Sequence, residues 1–182
     1  MDGFKPLLKI GGRTILERSI ELFQRTGIGD IVAVLGHRSD ELIPVVEKTM
    51  ARFVVNQHYH DGMFSSIQRG VREIGQQCDA FFLLPVDTPL VRTSTIMQLL
   101  ETFESMPTTL ICTPQYNDRN GHPPLIDTCL IDEILAYDGQ GGLRSLLRNY
   151  QDKSCSVAVP DKHILMDLDT RNDLAHLRDA AW

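Results

Sequence analysis

An apolar run over residues 81–86 ends at the single carboxylate of Asp87, and Pro89 turns the chain two residues later. A continuous apolar run between turn signals predicts a strand that is buried on both faces, as in a parallel sheet. In open α/β sheets the ligand crevice lies just outside the carboxyl ends of such strands. The pattern therefore has two interpretations. Asp87 is either an oxygen ligand for Mg²⁺ in a crevice or only a cap of the turn before the next helix.

Strand-like and helix-like segments alternate along the whole chain. Helices are predicted from a capping box at Thr14 to a C-cap at Gly27, over 39–47 and 63–74, from Thr93 or Ser94, over 129–136 and 143–150, and from Thr170 onward. Strands are predicted over 30–35, 52–56, 79–86, 109–113, 122–126, 155–159 and 164–168. This alternation predicts a single α/β domain over residues 1–182, folded as a three-layer α/β/α sandwich around a mostly parallel sheet.

Composition narrows the class of protein. The net charge of −6 and the pI near 5.4 argue against nucleic acid as a partner. The four cysteines, at positions 78, 112, 129 and 155, include no Cys-x-x-Cys pair and are interpreted as small core residues rather than zinc ligands or disulfides. No secretory signal follows Met1, and no apolar run approaches the roughly 20 residues of a membrane span. We therefore expect a soluble cytoplasmic protein.

Two further segments carry carboxylates or hydroxyls that suit a ligand. In a strand over 164–168, Asp167 and Asp169 point to one face, although Asp169 and Thr170 also form an ordinary helix N-cap. At the start of the helix over 63–74, Gly and Ser residues can present N–H groups and hydroxyls to an anionic ligand, although serine is common at any helix start. These residues are Gly62, Ser65 and Ser66.

Two turns have similarly open interpretations. Gly121-His122-Pro123-Pro124 predicts a rigid, extended turn in which His122 is either a proton shuttle or a structural residue. Gly139-Gln140-Gly141-Gly142 can approach a phosphate closely, or can simply join two helices.

Taken in order, these motifs resemble those of the MobA-like nucleotidyltransferases, and most closely the molybdenum cofactor cytidylyltransferase branch. The resemblance spans essentially the whole chain. The matching motifs are Lys5-Pro6-Leu7-Leu8, Gly11-Gly12, Gly62-Met63-Phe64-Ser65-Ser66, Val86-Asp87-Thr88-Pro89-Leu90-Val91, Gly121-His122-Pro123, Gly139-Gln140-Gly141-Gly142 and Asp167-Leu168-Asp169-Thr170.

The resemblance implies a nucleotide-diphospho-sugar transferase-like (Rossmann-like) fold and a phosphoryl-transfer reaction. The terminal phosphate of an acceptor, here of the molybdopterin type, would attack the α-phosphate of an NTP, with CTP favoured, and pyrophosphate would leave. Within the same fold, the alternative acceptor is a sugar or polyol phosphate. A non-catalytic cofactor-binding module is the alternative outside enzymes.

The same resemblance assigns roles to residues. Asp87 and Asp169 would hold Mg²⁺ on the phosphates, with Asp167 as the reserve for Asp169, and Lys5 would neutralise phosphate charge as a catalytic and nucleotide-binding cation. The nucleotide's base or ribose would be bound by Gly62, Ser65 and Ser66. The acceptor would lie near Gly121 and His122.

Two departures from the family pattern qualify these expectations. The family's first strand and its Leu-Ala-Ala-Gly-x-Ser-x-Arg-Met-Gly loop, which supplies N–H groups to the triphosphate, have no counterpart, and Phe64 replaces a small Ser that would border the base pocket. The chain is then either a shortened form of a longer enzyme or a protein that has lost transfer activity. In both cases we expect weak nucleotide affinity and little or no transferase activity from these 182 residues. A missing central strand also predicts unpaired sheet edges, met by a rearranged sheet, a filled gap or pairing with a second copy in a homo-oligomer.

Overall fold

Short strands alternate with helices in the computed structural model, which describes residues 4–75 and 78–168. The strands are β1 (Lys9–Ile10), β2 (Arg13–Thr14), β3 (Val32–Leu35), β4 (Arg52–Val55), β5 (Ala80–Phe82), β6 (Ile111–Tyr116), β7 (Arg119–Asn120), β8 (Leu125–Asp127) and β9 (Ser154–Ala158). The α-helices are α1 (Ile15–Gln24), α2 (Ser39–Val46), α3 (Met63–Ile74), α4 (Thr93–Ser105), α5 (Ile131–Ala136) and α6 (Gly142–Leu147). Short 3₁₀ segments cover Lys5–Leu7, Tyr59–Asp61, Thr128–Leu130, Arg148–Lys153 and Lys162–Leu165. Asp169 and the helix predicted from Thr170 lie outside the described residues.

The predicted three-layer α/β/α class is confirmed. Neighbouring residues of strand β5 pack into two different hydrophobic clusters, one on each face of the sheet. Phe81 packs against helices α3, α5 and α6, whereas Phe82 packs against a cluster built on α1 and α4. In strand β8, Ile126 belongs to the cluster of Phe81, and Leu125 belongs to the cluster against which Phe82 packs. Because successive side chains of a strand point to opposite faces, helices cover this sheet on both sides.

The sheet itself is mixed rather than mostly parallel, which corrects the sequence prediction. Among the described strands, β3–β4 and β6–β9 pair in parallel, while β5–β8, β8–β6 and β6–β7 pair antiparallel. The cause is a tight hairpin after β6, in which Asn117 (φ 48°) and Asp118 (φ 59°) adopt left-handed conformations. Such a turn reverses the chain, so β8 returns antiparallel between β5 and β6.

The described strands fall into separate hydrogen-bonded ladders. Strand β3 is paired with β4 and strand β5 with β8, and within residues 4–75 and 78–168 no pairing joins the two ladders. Both β3 and β5 therefore present an unpaired edge there, as a missing central strand predicts. Side chains link the two parts instead, since Ile31 packs against the clusters of both.

Three other predictions need correction. The strand predicted over 164–168 is the 3₁₀ segment Lys162–Leu165 followed by extended chain. Strand β5 is shorter than the predicted 79–86 because its partner β8 begins only at Leu125, directly after Pro123 and Pro124, which have no N–H group for a ladder. Cys78 and Cys129 are exposed rather than core residues, although Cys112 is fully buried, and burial raises the pKa of its thiol to about 11.

No helix among the described residues combines the length and the apolar character that crossing a bilayer requires.

Helix α1 begins with the predicted capping box. The Thr14 hydroxyl accepts a hydrogen bond from the Glu17 amide at 3.1 Å, and the Glu17 carboxylate accepts from the Thr14 amide at 2.7 Å. The box satisfies amide groups that the first turn of a helix leaves without partners. It also fixes the start of a helix whose Ile15 and Ile20 enter the core.

We expect Thr14→Ala to lower the free energy of unfolding by about 1 kcal/mol, because it removes this cap. The measurement is urea denaturation followed by circular dichroism. Thr93→Ala is the matched control, since Thr93 is exposed at the start of α4 and its hydroxyl makes no hydrogen bond within the described residues. Equal losses in the two variants would contradict a capping role for Thr14.

The same box predicts an acid-sensitive contribution to stability. Hydrogen bonds from the Thr14 amide and hydroxyl hold the pKa of Glu17 below its ordinary value. As the pH falls, the unfolded chain binds the proton first, at the ordinary glutamate pKa of about 4.3, so acid favours unfolding. The contribution is therefore complete above that pH and is lost as the pH falls through the folded-state pKa. The stability difference between the native chain and Glu17→Gln should shrink from pH 6 to pH 3, and a constant difference would refute this assignment.

Candidate active site

The carboxyl ends of three strands lie along one edge of the larger sheet. Strands β5 and β6 are each antiparallel to β8 and therefore run in the same direction, and β9 runs parallel to β6. Asp87 follows the end of β5, and the Gly121-His122 turn leads into β8 from the same edge. The topology thus brings two of the predicted motifs to one crevice, at the edge where ligands of α/β sheets bind.

The segment over 162–168 connects these motifs through the main chain. The Leu168 amide donates to the Asp87 carbonyl at 2.9 Å, and the His122 amide donates to the Ile164 carbonyl at 2.9 Å. Leu168 is completely buried in a cluster with Leu90, three residues after Asp87. Asp167 lies between the half-buried Met166 and the buried Leu168, and its own side chain is exposed to solvent.

His122 faces the carboxylates of this crevice. Its Nδ1 atom is buried and has no hydrogen-bond partner within the described residues. Burial lowers the pKa of His122, while the negative charges of Asp167 and Asp87 act in the opposite direction. The protonation of His122 therefore depends on the charges of Asp87 and Asp167. A ring nitrogen without a partner at this position is suited to a hydrogen bond with a bound ligand.

Asp161, which the sequence analysis did not select, anchors the same segment. Its carboxylate is 1% exposed and accepts hydrogen bonds at 2.9 Å from both the Arg92 amide and the Thr95 hydroxyl at the start of α4. It also lies 2.9 Å from Nδ1 of His163. Asp161 thus binds polar groups at the start of α4 and holds the segment over 162–168 against this helix. The sequence signal for Asp161 is a Pro-Asp pair directly after a predicted strand, followed by Lys162 and His163.

A second group of predicted residues lies at the start of α3. Asn56, which is 3% exposed, donates through Nδ2 to the hydroxyls of Ser65 at 2.9 Å and Ser66 at 3.0 Å. Gly62 has φ 96°, a left-handed conformation that favours glycine. The buried amide therefore fixes the orientation of both serine hydroxyls. The sequence signal for Asn56 is a polar residue directly after a strand.

The remaining predicted residues have clear positions. Lys5 is half-buried at the start of the 3₁₀ segment Lys5–Leu7, next to Phe4. Phe64, which replaces a small Ser of the family pattern, is a core residue that packs edge-on against Tyr137, with 5.6 Å between the ring centroids. Gly139 lies over the Phe64 ring, so the Gly-rich turn packs on the core as it joins α5 to α6.

A family model described as MobA-like NTP transferase domain matches residues 1–154. The chain belongs to this family. Its members are nucleotidyltransferases, and the α/β fold described above is the fold of this class of enzyme.

Two characterised proteins are similar in sequence to this family member. The bifunctional protein GlmU of Corynebacterium diphtheriae is 27% identical over 67% of this chain, and the chain spans only about a quarter (26%) of that protein's length. The nicotine blue oxidoreductase of Paenarthrobacter nicotinovorans is 27% identical over 96% of this chain and 88% of its own length.

Solved structures share the fold. Rv0371c of Mycobacterium tuberculosis, in complex with manganese, superposes with a TM-score of 0.80 at 20% identity, covering 97% of this chain and 92% of the other. A nucleotidyl transferase from Methanothermobacter gives a TM-score of 0.81 at 22% identity, with coverages of 96% and 83%. Molybdopterin-guanine dinucleotide biosynthesis protein A from Archaeoglobus fulgidus gives 0.67 at 17% identity, with coverages of 96% and 89%.

The crevice of this MobA-like chain has donors that fit a hard divalent cation. The negative charges of Asp87 and Asp167 both act to raise the pKa of His122, so both carboxylates lie within electrostatic reach of its ring. The described residues contain no cluster of three or more His, Cys, Asp or Glu side chains that could enclose a metal. This donor set suits Mg²⁺, which binds through one or two carboxylates and takes its other ligands from water and phosphates.

We expect Gly121→Ala to push the segment over 162–168 away from the loop that contains Gly121. A Cβ atom at this position would lie 2.2 Å from the Ile164 carbonyl oxygen, so the segment over 162–168 must move. Such overpacking should lower the free energy of unfolding by about 2 kcal/mol. Urea denaturation measures the loss, with Gly29→Ala as the control, because a Cβ at Gly29 meets no atom within 4 Å. Similar stability of the two variants would contradict the close contact.

Proposed function

We propose that the protein transfers a nucleoside monophosphate from an NTP, preferentially CTP, to the terminal phosphate of a molybdopterin-type acceptor, with release of pyrophosphate. The observation that carries this proposal is that main-chain hydrogen bonds join the segment over 162–168 both to Asp87 and to His122 at the carboxyl edge of the sheet. Membership of the MobA-like family supports the reaction class. The preference for CTP rests on the motifs shared with the cytidylyltransferase branch, and the Archaeoglobus relative supports a molybdopterin-type acceptor.

In this proposal Asp87 holds Mg²⁺ together with a second carboxylate from the 167–169 motif. Asp169 is the sequence-based choice, and Asp167 has the support of its proximity to His122. The bound ion would neutralise charge on the phosphates during transfer. The manganese complex of Rv0371c supports the use of a divalent cation in this fold.

The other residues then bind the two substrates. Lys5 offsets phosphate charge as a point cation. The base or ribose is bound by Gly62, Ser65 and Ser66, whose hydroxyls Asn56 orients. The acceptor lies toward Gly121 and His122, where the unpartnered Nδ1 accepts a hydrogen bond from it.

One comparison favours a second candidate function, an oxidoreductase reaction. The nicotine blue oxidoreductase matches 96% of this chain. The two candidates differ in their products, because nucleotidyl transfer releases pyrophosphate from an NTP, whereas an oxidoreductase consumes a reduced electron donor. Pyrophosphate release and oxidation of a reduced nicotinamide, assayed in parallel on one preparation, distinguish them.

Asp87→Asn tests the proposed metal site. We expect the variant to lose at least tenfold in Mn²⁺ affinity in the presence of CTP, measured by electron paramagnetic resonance, because it removes an anionic ligand. Any pyrophosphate release should fall by about 100-fold. Asp132→Asn, which changes an exposed carboxylate on α5, serves as the control. Unchanged Mn²⁺ affinity in Asp87→Asn would refute the assignment of Asp87.

A further inference from the structure

Four rings form a continuous patch beside the start of α3. Phe4 contacts His37 edge-on with 5.9 Å between ring centroids, His37 lies 6.0 Å from Tyr59, and Tyr59 lies 4.0 Å from His60. The guanidinium of Arg38 lies 4.5 Å above the Phe4 ring. We name Phe4, His37, Tyr59 and His60 the ring patch.

The ring patch is accessible to solvent rather than part of the core. His37 and His60 are exposed, and Phe4 and Tyr59 are half-buried. Solvent-exposed aromatic rings that contact one another offer faces on which a planar ligand can stack. Of the four, Phe4 alone is packed against a hydrophobic core cluster, so the cores already described do not account for the grouping of His37, Tyr59 and His60.

The backbone and a salt bridge hold the patch in place. Tyr59 lies directly on Gly36, where a Cβ atom would stand 2.7 Å from the Tyr59 Cβ, so a side chain at position 36 would displace the ring. Arg38 is held over Phe4 by a two-point salt bridge with Glu41, one contact of which is 2.6 Å. These contacts restrain Tyr59 and Phe4, and restraint of a stacking ring lowers the entropic cost of binding a ligand to it.

The patch is continuous with the polar groups assigned to the nucleotide. The 3₁₀ segment Tyr59–Asp61 leads into Gly62, and the Ser65 hydroxyl donates to the His58 carbonyl at 2.9 Å. Lys5 directly follows Phe4 in the chain. Flat rings and a cation thus lie in loops that neighbour the serine hydroxyls at the start of α3.

We propose that the ring patch binds the flat heteroaromatic ring of a phosphate-bearing substrate, by stacking on Tyr59 and His60. This proposal rests on the proposed function, since the two substrates named there both carry such a ring. The ring comes either from the nucleobase of the NTP or from the pterin of the acceptor. Arg38 and Lys5 favour the negative charge that both substrates carry.

The test compares ring-bearing probes with a probe that lacks a ring. Cytidine 5′-monophosphate represents the nucleobase, neopterin monophosphate represents the pterin, and ribose 5-phosphate carries a phosphate without a heteroaromatic ring. The C2 proton resonances of the histidines report contact, and calorimetry gives affinity. We expect at least one ring-bearing probe to shift the resonances of His37 and His60, and ribose 5-phosphate to leave them in place. The probe that shifts them identifies the source of the ring.

Variants at the patch supply the second arm. Tyr59→Leu keeps the Cβ that rests on Gly36 but removes the ring, and should weaken binding of the active probe about tenfold. Tyr59→Phe should bind within about twofold of the native chain, because it keeps the stacking face. His58→Ala, which changes an exposed histidine of the same loop outside the ring contacts, is the control. Thermal unfolding checks that all variants are folded.

The outcomes separate this proposal from the proposed function. Failure of both ring-bearing probes to shift His37 and His60, or equal affinity of Tyr59→Leu and Tyr59→Phe, would overturn the stacking site. Pyrophosphate release that continues with unchanged KM in Tyr59→Leu would also overturn it, while leaving the proposed transfer intact. Ring binding together with unchanged Mn²⁺ affinity in Asp87→Asn would support the patch and count against the proposed transfer site.

Discussion

The geometry of the crevice depends on main-chain contacts between the segment over 162–168 and the two loops that it crosses. These contacts are the hydrogen bond from Leu168 to the Asp87 carbonyl and the close approach of Gly121 to Ile164. Backbone contacts of this kind are insensitive to side-chain rotamers, so they fix the separation of the loops. The charges of Asp87 and Asp167 act on His122 because of this constraint.

The parts of the fold that were predictable are those where local pattern and tertiary environment agree. Helix α3 begins at Met63 and ends at Ile74, as predicted, because its apolar spacing matches the face that it buries. The capping box at Thr14 was recognisable because both partners lie within one turn. The strand before Asp87 was recognisable from its apolar run, whereas the role of Asp87 as an Mg²⁺ ligand stays a prediction.

Other features depend on residues that are distant in sequence, which a local pattern cannot show. Asp161 accepts hydrogen bonds at the start of a helix that begins about seventy positions earlier. Asn56 orients the serine hydroxyls at the start of α3, and a 3₁₀ segment separates it from them in the chain. The left-handed turn at Asn117 and Asp118 changed the direction of β8 and made the sheet mixed. Residues 164–168 were wrongly predicted as a strand because the alternation of Met166, Asp167 and Leu168 also suits extended chain without a ladder.

The separation of the β3–β4 ladder from the larger sheet has a consequence for the dynamics of the domain. Main-chain hydrogen bonds transmit cooperativity across a sheet, and between β3 and β5 the described residues have none. The unit β3–α2–β4 is held to the rest by side-chain packing, such as that of Ile31 and Val86. Amides of this unit can therefore exchange with solvent through a sub-global opening that leaves β6, β8 and β9 protected. The ring patch belongs in part to the more easily opened unit, whereas the crevice around Asp87 belongs to the more stable one.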